Sequence, residues 1–174
     1  MNSFINTLKA KDISILKIIN NSIKCKLLDI IMIPFTYLGS GAACLAFTLF
    51  TLFYPNEEIN TVGYRGFVSL LFSGLLVRFI KNAVNRIRPF LKIQDLYTKK
   101  IGIDEYSFPS GHTTAAFTMA VSIALTFANL TILCIIVASF VGVSRIYLGV
   151  HYPSDVAVGT IIGTITPLIV NNFI

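Results

Sequence analysis

The stretch SRIYLGVHYPSD, residues 144–155, joins two apolar segments and carries an arginine, a histidine and an aspartate. The segments on either side, 130–149 and 155–173, are each long enough to cross the hydrocarbon core of a bilayer as an α-helix. Pro153 predicts that a helix begins beside it, because proline is favoured in the first helical turn. The stretch therefore predicts a turn between two membrane-spanning helices, with ionisable groups at the helix ends.

Charge is scarce around this turn. From Tyr106 to Ile174, a run of 69 residues, only Arg145 and Asp155 are charged. An ionisable group at the centre of a span costs about 2.5 to 3.5 kcal/mol on insertion scales, so its retention indicates a function or a specific partner. The two histidines of the chain, His112 and His151, lie in the same region. These four residues are the first candidates for a site.

The composition extends the membrane interpretation to the whole chain. Of 174 residues, 55% are hydrophobic and 13% are charged, with a mean hydropathy of +0.76, which excludes an ordinary soluble enzyme. We predict an all-α fold, a polytopic membrane helix bundle of five to six spans in a single domain over 1–174. The predicted spans are 27–53, 62–79, 112–128, 130–149 and 155–173. Because Pro34 and Gly39-Ser40-Gly41 interrupt the first, it is either one kinked span or two segments.

Residues 1–26 form a basic segment that we expect to be an interfacial helix and not a signal peptide. Its apolar residues are Ile13, Leu16, Ile18, Ile19 and Ile23, and Lys17 and Lys24 lie on the other side. The alternative is a frayed basic tail. The cysteines Cys25, Cys44 and Cys134 form neither a disulfide framework nor a metal-binding pattern.

The net charge of +6 favours anionic lipid headgroups or phosphate as partners. No interleaving of basic and aromatic residues suggests a nucleic-acid surface. We therefore expect a lipid bilayer and a lipid phosphate as partners, and no nucleic acid.

Three polar segments stand at predicted span ends that the span count places on one side of the membrane. The first is KNAVNRIRP, residues 81–89. Lys81 and Arg88 are seven residues apart, two helical turns, so they share a face if the helix continues. They form a cationic stripe, or alternatively a basic cap that the helix dipole and the lipid headgroups stabilise.

The second segment is FPSGH, residues 108–112. Ser110 can cap a helix, and Gly111 lets a ligand approach helical N–H groups, which attract anions. His112 can exchange a proton near neutral pH, since a histidine has an ordinary pKa of about 6.5. The alternative is a turn that starts a span and carries an incidental histidine.

In the third segment, the 144–155 stretch, Asp155 is four residues from His151 and can hold one imidazole nitrogen while the other faces a substrate. A His–Asp pair that only ties two helix ends together is the alternative. The three segments supply cations, a helix start, two histidines and one carboxylate, which suits a phosphate ester. Asp104 and Glu105 form the only acidic pair nearby, so a metal-independent hydrolysis is favoured.

At these residues the chain resembles the type 2 phosphatidic acid phosphatase superfamily of membrane lipid phosphatases. The family patterns K-x6-R-P, P-S-G-H and S-R-x5-H-x3-D match Lys81 with Arg88-Pro89, Pro109 to His112, and Ser144-Arg145 with His151 and Asp155. The resemblance covers roughly residues 62–170, the expected phosphatase core.

The resemblance implies a mechanism without a metal or cofactor, in which His151 attacks phosphorus, Asp155 orients His151, and His112 protonates the leaving group. It also implies that the phosphate oxygens are held by Lys81, Arg88, Ser110, Gly111 and Arg145. Arg86 is not a motif position, and we expect it to face a lipid headgroup, the lipid or the loop.

The location of the site at the rim of membrane helices predicts a lipid phosphatase that acts on phosphatidylglycerol phosphate or phosphatidic acid. An undecaprenyl diphosphate phosphatase is the alternative, although some of those enzymes replace the motif glycine that is Gly111 here. The superfamily also includes haloperoxidases that hold vanadate. A non-catalytic phospholipid-binding protein is a more remote alternative.

We expect a multi-pass protein of the cell (plasma or inner) membrane. If 27–53 is one span, the basic N-terminus and the site share a side, which the positive-inside rule places in the cytoplasm. Bacterial members of the resembled family usually face the site outward, and several of the cations belong to the site itself. We predict an extracytoplasmic site, and the sequence leaves the oligomeric state open.

Overall fold

A computed structural model describes the chain from Asn2 to Ile174, with side chains from Asn6 onward. Its helices are α1 (Asn2–Lys17), α2 (Lys26–Leu38), α3 (Gly41–Leu52), α4 (Glu57–Val84), α5 (Pro89–Lys92), α6 (Gly111–Ala124), α7 (Thr131–Tyr147) and α8 (Pro153–Val170). A π-helical turn (Ile18–Ser22) continues α1, and 3-10 turns (Ala128–Leu130 and Asn171–Phe173) precede α7 and follow α8. The described residues contain no strand, which confirms the all-α prediction.

The helix boundaries follow from local sequence. The side chain of Asn56 accepts a hydrogen bond from the Ile59 N–H at the start of α4, and two glutamates follow in the first turn. Asn85 ends α4 in the left-handed conformation, at φ 50°, a common way to end a helix. Ser110 caps α6, and Pro153 is the first residue of α8.

Three helical segments are long and apolar enough to cross a membrane, namely Glu57–Lys92, Ala128–Tyr147 and Pro153–Phe173. The pair α2 and α3 adds a fourth if it is counted as one bent span. Many large apolar side chains face outward, among them Phe53, Phe79 and Ile132, as expected of a surface in contact with lipid. These features support a multi-pass membrane protein, while the count of five to six spans stays a prediction.

The first predicted span is two helices, α2 and α3, which meet at an angle of 55°. The break lies at Gly39 and Ser40, whereas Pro34 lies inside α2 without ending it. A Cβ atom at residue 39 would collide with the Val141 side chain and lie 2.9 Å from the His112 carbonyl oxygen. Only glycine therefore lets the bend pack this closely against α6 and α7.

The core of the bundle is the packing of α6 against α8, which two glycines of α8 make close. A Cβ atom at Gly159 would lie 2.8 Å from the Ser110 carbonyl oxygen, and one at Gly163 would collide with the Thr114 carbonyl oxygen. This contact fixes the start of α6 beside the start of α8. At the far end of α6, the buried Arg65 of α4 donates to the Ser122 carbonyl oxygen at 3.0 Å.

The predicted N-terminal helix is present as α1, but its apolar residues do not form one outward stripe. Leu16 is fully buried and clusters with Ile146 and Tyr152 at the end of the bundle. Ile18 and Ile23 are 55% and 44% exposed. One face of α1 thus covers the bundle end at which α7 finishes and α8 begins.

Candidate active site

A cavity of about 500 Å³ opens between α3, α4, α6 and the loop that precedes α6. Five of the sequence-predicted site residues line it: Lys81, Arg88, Gly111, His112 and His151. The other three, Ser110, Arg145 and Asp155, are fully buried behind its wall. The structure therefore brings the three motif segments together at one end of the bundle.

His151 presents one ring nitrogen to a cation and the other to a carboxylate. Nε2 lies 3.2 Å from Arg88 Nη1, and Nδ1 lies 3.4 Å from Asp155 Oδ2. Because a guanidinium can only donate, Nε2 must act as the acceptor in that contact, which places the proton of the neutral ring on Nδ1. Nε2 therefore carries the lone pair on the side of the ring that faces Arg88.

Burial lowers the pKa of His151 well below the usual value for histidine, and the positive charges of Arg145 and Arg88 lower it further. The usual value is about 6.5, so His151 is neutral at pH 7. A neutral imidazole is the form that can act as a nucleophile or a base.

Asp155 connects the three motif segments. Its Oδ1 accepts a hydrogen bond from Arg86 Nη1 at 2.6 Å, and its Oδ2 accepts from the Tyr152 N–H at 2.9 Å. Its carbonyl oxygen accepts from the Ser110 N–H at 3.0 Å. Arg86, which the sequence motifs leave out and for which we expected a peripheral position, thus forms an ion pair with a fully buried carboxylate.

Arg86 is held in turn by Asp12 of α1. Its Nη2 lies 2.6 Å from Asp12 Oδ2, and its guanidinium stacks 3.9 Å from the centre of the Tyr152 ring. Asp12 Oδ1 also accepts from the Ser154 N–H at 2.8 Å. The N-terminal helix therefore reaches the carboxylate that faces His151, through Arg86.

Lys81 and Arg88 share a carboxylate, that of Asp104. Oδ1 of Asp104 lies 2.8 Å from Lys81 Nζ and 2.5 Å from Arg88 Nη2, and the Asp104 carbonyl oxygen accepts from Arg88 Nε at 2.8 Å. Burial acts to raise the pKa of Asp104, but the hydrogen bonds and charges of Lys81 and Arg88 outweigh it and lower the pKa below its usual value. Asp104 is therefore an anion at neutral pH.

Arg145 is fully buried, and among the described residues no carboxylate lies within ion-pair distance of it. Its Nη1 donates to Thr36 Oγ1 at 2.6 Å, and its Nη2 donates to the Gly102 carbonyl oxygen at 3.3 Å. Its Nε has no partner in the part of the chain that the structure describes. A buried guanidinium without a counter-ion is costly unless an anion binds nearby.

The start of α6 lies beside these cations. It provides open space in the cavity and the ring of His112. Ser110 Oγ accepts from the Thr113 hydroxyl at 2.9 Å and caps the helix. A Cβ atom at Gly111 would come no closer than 3.9 Å to another residue, so the glycine leaves open space in the cavity. His112 Nε2 is buried and has no hydrogen-bond partner among the described residues, and Gly102, at φ 52°, lies against the His112 ring.

The arrangement suits a tetrahedral oxyanion. Lys81, Arg88 and Arg145 carry three positive charges. Among the residues that the structure describes, only Asp104 pairs with any of them, so an anion is needed for charge balance. Oxygens of residues 102–104 contact all three cations. A bound phosphate would have to replace these oxygens.

Sequence reasoning did not find the contributions of Asp12, Thr36 and Asp104 to the site. A signal existed for Asp12, because it lies four residues before Leu16 and therefore on the same helix face. A carboxylate on the buried face of a helix indicates a partner. For Thr36 no local pattern distinguishes it from other residues of α2.

The chain is similar in sequence to known lipid phosphatases. Lipid A 1-phosphatase of Rhizobium etli is 34% identical over 110 residues, which are 60% of this chain and 47% of that protein. The undecaprenyl-diphosphatase of Sulfolobus acidocaldarius is 33% identical over 109 residues, 62% of this chain and 53% of that protein. The chain thus spans about half the length of these curated relatives.

Two solved structures match over nearly the whole chain. The crystal structure of Aquifex aeolicus LpxE has a TM-score of 0.79 and 30% identity, and covers 92% of this chain and 94% of that one. The PAP2 type phosphatidylglycerolphosphate phosphatase from Bacillus subtilis has a TM-score of 0.78 and 25% identity, and covers 97% of this chain and 86% of that one.

The described fold is therefore similar to that of solved membrane phosphatases. Residues 65–174, which hold every motif position, match the PAP2 superfamily. This match covers more than half of the chain, and the chain belongs to the PAP2 superfamily.

Proposed function

We propose that the chain is an integral-membrane phosphatase that hydrolyses a phosphate monoester or diphosphate of a membrane lipid. The observation that carries this proposal is the two-part character of the cavity. One end holds Lys81, Arg88 and both histidines, and the wall toward α3 and α4 is apolar. The apolar wall consists of Leu45, Phe67, Leu70, Leu71 and Val77. An amphiphile with a terminal phosphate matches both parts.

We place phosphatidylglycerol phosphate or phosphatidic acid first among substrates and undecaprenyl diphosphate second. All three present a terminal phosphate to the same cations and an apolar tail to the same wall. Similar proteins include phosphatases named for phosphatidylglycerol phosphate, undecaprenyl diphosphate and lipid A. A substrate panel separates these possibilities.

In the proposed first step, His151 Nε2 attacks the terminal phosphorus and the N–P bond forms. The P–O bond to the leaving group breaks, an ester bond in a monoester and an anhydride bond in a diphosphate. Asp155 stabilises the positive charge that develops on the imidazole, because its carboxylate lies 3.4 Å from Nδ1. His112 gives a proton to the leaving oxygen. Its unpartnered Nε2 at the cavity is the group in position to do so.

In the proposed second step, water attacks the phosphohistidine, the N–P bond breaks and inorganic phosphate leaves. His112, now deprotonated, accepts the proton from the water. Lys81, Arg88 and Arg145 neutralise the charge on the nonbridging oxygens in both steps. Phosphate oxygens then replace the Gly102 carbonyl and the Asp104 carboxylate on these cations.

The proposal predicts phosphate release by the detergent-purified chain from at least one lipid of a panel of phosphatidylglycerol phosphate, phosphatidic acid and undecaprenyl diphosphate. Release should persist in EDTA, because side chains supply each catalytic role, and should fall to background in His151→Ala. Phosphate release is measured for both proteins after each has been shown to be monodisperse.

Lys99→Gln is a matched control, because it removes an exposed charge outside the cavity and should retain wild-type release. Equal phosphate release by His151→Ala would contradict the assignment of His151 as the nucleophile. Binding of a lipid without turnover would favour a non-catalytic lipid-binding protein.

The ion pair between Arg86 and Asp155 predicts a second mutational result. Arg86→Gln should lower kcat about a hundredfold with little change in KM, because Asp155 would no longer hold His151 in line. Arg86→Lys should restore part of kcat. Asp12→Asn should lower kcat less, because Arg86 keeps its contacts with Asp155 and Ser154. Steady-state kinetics on the best panel lipid measures both parameters.

A rise in KM with unchanged kcat in Arg86→Gln would show instead that Arg86 binds the substrate. Loss of thermal stability in detergent without a change in kcat would assign the pair a purely structural role.

We also propose that the site faces outward from the cell membrane, since Lys81, Arg86, Arg88 and Arg145 are held by the site and do not report topology. Cys25 offers a test, because it is exposed and its carbonyl oxygen accepts from the Tyr147 hydroxyl at the site's end of α7. A membrane-impermeant maleimide should label it in intact cells. Cys25→Ser is the control, and labelling only after lysis would place the site in the cytoplasm.

A further inference from the structure

We infer that α4 carries a second anion subsite, formed by Arg78 and Asn82, for the phosphate group that a lipid substrate retains after its terminal phosphate is removed. This inference rests on the proposed function and narrows the substrate class. It favours lipid diphosphates and phosphatidylglycerol phosphate, which carry two phosphates, over phosphatidic acid, which carries one.

Arg78 is a cation for which nothing in the described part of the chain provides a partner. Its side chain is exposed and makes no hydrogen bond or ion pair with any described residue. It lies within the candidate span Glu57–Lys92, between the outward-facing Leu75 and Phe79. An arginine at such a position indicates an anionic partner.

The space beside Arg78 adjoins the proposed catalytic cavity. Arg78 and Asn82 line a second cavity of about 350 Å³ with Glu105 and Tyr106. The two cavities share Gly74, Val77, Lys81, Asp104 and Gly111. A ligand can therefore contact Lys81 and Arg78 at the same time.

The order of groups along α4 matches the order of groups along a lipid with two phosphates. Arg78 precedes Lys81 by three residues, so the two side chains are neighbours on one helix surface, with Cβ atoms about 5 to 6 Å apart. Arg78 is the one nearer the middle of the span. In a two-phosphate lipid the retained phosphate lies between the terminal phosphate and the tail, which places it at Arg78 when Lys81 holds the terminal phosphate.

Charge balance makes Arg78 the deciding residue of this subsite. Asp104 and Glu105 both line the second cavity, and their negative charges oppose an anion there. Asn82 can donate hydrogen bonds but carries no charge. Binding of a retained phosphate there therefore depends on the guanidinium.

The test compares Arg78→Gln with the wild-type full chain in micelles of an uncharged detergent. Hydrolysis of phosphatidylglycerol phosphate and of undecaprenyl diphosphate should lose at least about tenfold in kcat/KM, the effect of one charged hydrogen-bonding contact. Hydrolysis of phosphatidic acid should change less than about twofold, because Arg78 then faces no phosphate. Asn82→Ala should show the same selectivity with a smaller loss.

Lys99→Gln is the matched control, because it removes an exposed positive charge that lies outside both cavities. An equal loss on all substrates would overturn the inference, since Arg78 would then act on the membrane surface or on the fold. Unchanged kinetics on every substrate would overturn it as well.

A binding measurement separates failure of this inference from failure of the proposed function. Methylenediphosphonate should raise the thermal stability of the wild-type protein at lower concentration than inorganic phosphate does, and Arg78→Gln should abolish that difference. If no lipid is hydrolysed but this difference is present, the subsite stands and the phosphatase proposal fails. If both ligands act alike on the wild type, the subsite is absent.

Discussion

The buried carboxylate of Asp155 is the contact on which the rest of the site depends. A fully buried carboxylate is stable only when it is paired and hydrogen-bonded, and Asp155 obtains its partners from separate parts of the chain. Arg86, which follows α4, and Tyr152, which precedes α8, both donate to the carboxylate. Ser110, which caps α6, donates to the main-chain carbonyl oxygen of the same residue. The carboxylate and the backbone of Asp155 together therefore join the three motif segments and place a carboxylate beside His151. The close glycine-mediated contact between α6 and α8 makes this geometry possible.

The buried cations of the site also need partners of opposite charge. Lys81, Arg88 and Arg145 are buried and carry more charge than Asp104 can balance. Oxygens from residues 102–104 contact all three cations and hold them in place. Cations that are held in this way lose little freedom on binding, which lowers the cost of binding an anion.

The sequence predicted the all-α fold and the meeting of the three motifs. Both predictions rest on local patterns, namely apolar segments long enough to cross a membrane and the few charged residues at their ends. It could not predict that Asp12 holds Arg86, a contact between residues 74 positions apart. The sequence motifs gave Arg86 no role in the site for the same reason, because its partner Asp155 is 69 positions away. The bend at Gly39 and Ser40 was visible only as an alternative, because it depends on how closely α7 approaches.

The proposed covalent role of His151 has one direct test. A panel lipid labelled with ³²P in its terminal phosphate is mixed with the protein, the reaction is quenched in alkali, and the labelled residue is located by mass spectrometry. The account predicts a phosphoramidate on His151 that survives alkali, is released by acid and is absent from His151→Ala. Label on His112, or turnover with no labelled protein under conditions in which hydrolysis of the intermediate limits the rate, would contradict it.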